Sequence, residues 1–136
     1  MFFVVKRATL LIESGPANDP TRKHLFICLT DVFGSDKETL MVSVSTQRFG
    51  LPADDTCHLF AGDHPFIKHK SFVEYDKARV YAADKLLKGE REGRFVAMDA
   101  LESSIFARVC YGLEQSPFTA LKHLEFYQRA TGHGPV

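Results

Sequence analysis

Lys23-His24-Leu25-Phe26-Ile27-Cys28-Leu29-Thr30-Asp31 is a short apolar run with polar ends, and Thr39-Leu40-Met41-Val42-Ser43-Val44-Ser45-Thr46 alternates apolar with polar residues from Met41 onward. The first pattern reads as a strand buried on both faces. The second reads as a strand with one face toward a core. Between them Gly34-Ser35-Asp36-Lys37 has hairpin-turn chemistry, so the two strands are expected side by side.

Working outward, Thr9–Glu13 is a further strand candidate, with Met1–Val5 expected to pair beside it. Ser14–Pro20 is rich in turn formers and reads as a loop. Arg48–Asp55 is a second loop, followed by a short strand at Thr56–Phe60 and a loop at Gly62–Ser71. Ser71–Tyr75 and Ala78–Ala82 read as a long, bulged strand pair. The pattern changes near Asp84, and Gly89–Gly93 reads as a charged turn. Asp99 is placed to cap a helix, with Glu102 at capping-box spacing. Leu101, Ile105, Phe106, Val109, Cys110 and Leu113 then form a helical stripe. Ser116-Pro117 is expected to open a second helix, proline being favoured at a first helical position. Thr131-Gly132-His133-Gly134-Pro135 should end it. The expected fold is a single domain over residues 1–136, mainly β within the α+β class. Five to six short strands close into a small barrel, and two C-terminal helices run from about residue 98 onward.

The chain has 136 residues, 45% of them apolar and 25% charged, with 17 basic residues against 17 acidic ones. That length supports one proper core. Zero formal charge argues against a generic nucleic-acid coat or a membrane-surface binder, so RNA contact would need a local basic cluster. Cys28, Cys57 and Cys110 are scattered and odd in number, which indicates neither a zinc knuckle nor a disulfide framework and fits a reducing cytoplasm. In Met1–Arg7 the charge follows the apolar residues, the reverse of a signal peptide. No apolar run approaches the length of a membrane span.

Gly62-Asp63-His64-Pro65-Phe66-Ile67-Lys68-His69-Lys70-Ser71 gathers two histidines, two lysines and an aspartate. Imidazoles change charge near neutral pH and can both take and give protons. The lysines beside them suit a phosphate, although a solvated loop has the same composition. Asp63, His64 and His69 are also a conceivable zinc or manganese set, without the spacing of a helix-face pair. His24 reads equally as an edge residue bonded to backbone, and Cys57-His58 lacks a third group for nucleophilic chemistry. His123 and His133 are assigned no role.

This order of elements resembles the PemK/MazF-like toxin family over roughly residues 22 to 115. The likeness rests on a basic residue leading an apolar strand (Lys23–Thr30) and on a strand ending in Ser45-Thr46. It continues through Leu59-Phe60-Ala61-Gly62, then Ser71-Phe72-Val73, then Ala78 to Leu86, and ends in the helix Asp99–Leu113. The family's catalytic arginine opens the first apolar strand, where this chain has Arg22, Lys23 and His24, and its threonine corresponds to Thr46. The His64–His69 segment is not the common toxin pattern and marks a divergent branch. The resemblance implies an SH3-like barrel, an often dimeric molecule, a metal-independent endoribonuclease and a cognate antitoxin-like partner.

Metal-free cleavage of RNA needs a base for the 2′-OH, an acid for the leaving 5′-oxygen and cations on the phosphate. The candidate catalytic residues are His24, Thr46, His64 and His69. Arg22, Lys23, Lys68 and Lys70 are the candidates for binding phosphate. No metal or cofactor is expected. The alternative is the same barrel without catalysis, gripping RNA or a partner protein. Both readings require the starts and ends of three segments to converge: Lys23–Asp31, Met41–Thr46 and Gly62–Ser71.

Overall fold

A computed structural model describes residues 1–132; the expected end of the last helix at His133–Pro135 lies outside the described residues. Among the described residues six strands form one antiparallel sheet: β1 (Thr9–Glu13), β2 (Lys23–Cys28), β3 (Glu38–Thr46), β4 (His58–Leu59), β5 (Ser71–Ala82) and β6 (Val96–Met98), in the order β4-β5-β3-β2-β1-β6. Three helices accompany it: α1 (Ala83–Arg91), α2 (Ser103–Gln115) and α3 (Leu121–Thr131). The protein is thus a mixed α+β fold built on a curled, half-barrel sheet.

The alternation of β2 and β3 builds two cores, one on each face of the sheet. Leu25, Ile27, Leu40, Val42, Val44, Val73 and Tyr75 pack with Leu101, Val109 and Leu113 of the α2 segment and with Phe126 and Tyr127 of α3. Phe26, Cys28 and Met41 face the other way, against Leu10, Ile12, Ala83 and Leu86. The turn expected at Gly34–Lys37 joins β2 to β3, with positive φ at Gly34 and Lys37. β5 is one strand of twelve residues rather than a strand pair. Its register against β3 shifts between Met41, opposite Arg79, and Ser43, opposite Glu74. Such a bulge bends a sheet and re-aims the side chains beside it.

Four expectations are corrected. Met1–Val5 forms no strand; the neighbours of β1 are β2 and β6. The charged stretch ending in Gly89–Gly93 belongs largely to the unexpected helix α1, which seats Ala83 and Leu86 in the second core. Gly89 obscures that helix in the sequence, yet it is required: a Cβ there would stand 2.3 Å from the Phe95 ring. The cap of α2 is Glu102, not Asp99. Its carboxylate accepts the Ser104 hydroxyl and then the backbone N–H groups of Ser104 and Ile105, which together hold its pKa down at about 2. Finally, α3 opens at Leu121. Ser116 instead donates its hydroxyl to Asp54 (2.7 Å) and accepts the N–H of Phe118. Tyr75 fixes α2 to the sheet by donating to the Val109 carbonyl (2.7 Å), and Gly112 leaves the room its ring needs. No helix among the described residues is long and apolar enough to cross a membrane.

Candidate functional site

The start of β2, the end of β3 and the Gly62–Ser71 loop meet at one cleft of about 420 Å³. Its walls carry Arg22, Lys23 and His24 from the first segment, Ser45, Thr46 and Arg48 from the second, and Phe66, Lys68 and His69 from the third. The floor is apolar: Leu25, Val44 and Ile67 come up from the first core. Among the described residues no aspartate or glutamate lines this cleft; the carboxylates at its margin are Asp19, paired with Arg22, and Glu74, bonded to Ser45. In a chain with balanced charges, this lining concentrates positive potential at one place.

The loop is pinned at its stem and free at its rim. Gly62 takes positive φ, Asp63 accepts the Phe60 N–H (2.8 Å), and Ile67 is sunk in the core. Those anchors leave Phe66, Lys68 and His69 outward, with His69 exposed. Lys70 is also exposed but lies outside the cleft lining, and its carbonyl accepts the Gln47 N–H.

His64 does not reach the cleft. Its side chain is buried, with 2% exposure, and both ring nitrogens are committed. The Phe66 N–H donates to Nδ1 (3.0 Å), so the ring proton sits on Nε2 and is donated to the Asp99 carbonyl (2.7 Å). The Thr9 hydroxyl donates to the same carbonyl. His64 therefore joins the loop, β1 and the segment before α2, a bonded staple with no nitrogen left for substrate. Asp63, the third member of the conceivable metal set, is spent on Phe60 and Arg108. Among the described residues no group of three His, Cys, Asp or Glu side chains is arranged to hold a metal ion.

His24 lies on the seam between the basic cleft and a larger hollow of about 1280 Å³ that runs from Ile12 and Phe26 to His123 and Phe126 of α3. Burial lowers its pKa below the ordinary imidazole value. The charge of Glu74 opposes that shift, and Lys77 and Arg22 reinforce it. Neutral imidazole is the form that accepts a proton. Arg22 is itself held by Asp19 at 3.0 Å, with both side chains largely exposed, so its charge is only partly offset in solvent.

A cluster that the sequence did not reveal lines that larger hollow. Glu74 is 6% exposed and accepts from Ser43 (3.1 Å), Ser45 (2.7 Å) and Lys77 (2.9 Å). Burial alone would push its carboxyl upward. Hydrogen bonds from Lys77 and Ser45, the Lys77 charge and a further bond from Ser43 together hold it below the usual range. The one signal in the sequence was a lone carboxylate between Val73 and Tyr75; that Ser43 lies opposite it is visible only in the structure. Arg48 and Phe66 at the basic cleft were likewise unmarked, one in a loop and the other beside Pro65. Comparison of the chain with family models, with curated proteins and with solved structures finds no match.

Proposed function

We propose that this protein is a metal-independent endoribonuclease acting on single-stranded RNA, a divergent relative of the PemK/MazF-like toxins on an SH3-like barrel. One observation carries the reading: Arg22, Lys23, Arg48 and Lys68 line one cleft together with His24, His69 and Thr46, with no carboxylate in its lining among the described residues. Fixed cations match a phosphodiester, two imidazoles supply an acid and a base, and a hydroxyl can donate to a phosphate oxygen.

In this reading neutral His24 takes the proton of a ribose 2′-OH. That oxygen attacks the adjacent phosphorus, and the bond to the 5′-oxygen breaks. His69 in its protonated form gives the leaving oxygen its proton, and the product ends in a 2′,3′-cyclic phosphate. Thr46 and the four cations hold the phosphate while negative charge builds on its equatorial oxygens. Phe66, at the wall, offers a face on which an unstacked base can lie, the usual grip on single strands. The molecule would work in the cytoplasm, as a homodimer, restrained by an antitoxin-like protein.

The test is cleavage of a labelled mixed-sequence RNA by purified protein in excess chelator, with the ends of the products identified. Cyclic-phosphate ends, lost in His24→Ala and His69→Ala, are expected. Tight, salt-sensitive RNA binding with intact RNA would overturn catalysis in favour of a non-catalytic binding module, with the cleft as its grip.

A further inference from the structure

We infer that Ser14 sets the tautomer of His24, keeping the ring proton on Nδ1 and leaving Nε2 as the bare nitrogen that accepts. The inference about the ring stands on geometry; its catalytic consequence rests on the reading of His24 as the base. Ser14 Oγ lies 3.1 Å from the Ile12 carbonyl oxygen and 2.6 Å from His24 Nδ1. A hydroxyl has one hydrogen, and a carbonyl can only accept. With that hydrogen on Ile12, the short contact to the ring is made by an N–H on Nδ1 donating to Oγ. A neutral imidazole has one N–H, so Nε2 carries the lone pair.

The segment around Ser14 is built to hold this contact. Its own N–H donates to the Arg22 carbonyl (2.8 Å), closing the β1–β2 loop. Inside that loop Asp19 N–H donates to Pro16, and Arg22 N–H to Asp19. Gly15 is packed so closely that a Cβ would stand 1.9 Å from the Asp19 carbonyl oxygen and 2.7 Å from the Arg22 Cβ. β1 and β2 are in register at Ile12 opposite His24, so the strand pair itself sets the ring beside the loop. Ser14 is thus a positioning residue: it touches no substrate and acts through the orientation and proton placement of His24.

The experiment is a two-bond nitrogen–proton correlation spectrum of the labelled full-length chain at about pH 8, where an ordinary imidazole is neutral. The His24 ring is assigned by its loss in His24→Gln. The expected spectrum has the bare-nitrogen signature on Nε2. Ser14→Ala should abolish that preference, and Ser14→Thr, which keeps the hydroxyl, should retain it. Ser14→Ala should also lower kcat on the order of tenfold, the lower end for removing an outer partner of a working side chain, with KM unchanged. A wild-type ring protonated on Nε2 would overturn the inference, because Ser14 would then be donating to Nδ1. A ring protonated on Nδ1 in a protein that leaves RNA intact would uphold the inference and refute the nuclease reading.

Discussion

His64 and His69 sit in one loop, yet one is sealed and the other is open. His64 is bonded through Nδ1 to Phe66 and through Nε2 to Asp99, so its ring works as a brace. His69 stands exposed on the wall of a basic cleft with Lys68 and Phe66 beside it. Residue type and local composition are the same at both places. What separates them is how many bonds the fold makes to the ring, and whether water and a ligand can reach what is left.

That contrast can be attacked directly. The largest effect is expected at the cleft: His24→Ala and His69→Ala should each slow RNA cleavage roughly 100- to 10,000-fold, the usual contribution of a general acid or base. Unchanged rates in both variants would erase the distinction. The next largest falls on the brace. His64→Ala strands the Phe66 N–H and removes the donor to Asp99, which should cost about 2–4 kcal/mol in denaturant unfolding. Cleavage per folded molecule should stay as it was; a stability-neutral loss of activity would move His64 into the chemistry.

A third effect is smaller and depends on pH. Burial lowers the His24 pKa, so folding favours the uncharged ring. Stability from this group is complete above the ordinary imidazole pKa of about 6.5 and is lost as pH falls through the lower folded value. His123, also lowered by burial, acts in the same direction. Glu74, held low in the fold, adds a second loss at more acidic pH, beginning below its ordinary pKa. Unfolding midpoints followed downward from about pH 7 should therefore decline, less steeply in His24→Gln. A flat profile would contradict the burial seen at the seam. The smallest effect compares neighbouring lysines. Lys68→Ala should reduce the salt slope of RNA binding by about one unit, whereas Lys70→Ala, outside the lining, should leave it unchanged.

Much of the framework was legible because it is local. A short apolar run marks β2 and alternation marks β3, the Gly34–Lys37 turn joins them, and the Leu101–Leu113 stripe marks α2. Helix α1 was hidden by Gly89, whose reason for being glycine is Phe95, a residue beyond the helix end. β6 has three residues and exists because the edge of β1 accepts it. At the site, the meeting of three segments was expected from their basic and hydroxyl residues. The fate of His64 depended on a carbonyl far along the chain at Asp99. Glu74 depended on a register shift that placed Ser43 opposite it. Such long-range pairings leave no mark on residue order.

The margins of the sheet carry a consequence for how two copies can meet. One margin is β4, with two residues, and the other is β6, with three. Stubs of that length give an invading strand almost nothing to zip onto, which is how natural sheets guard against runaway stacking. The two short strands themselves therefore offer few free backbone groups for a second copy to extend.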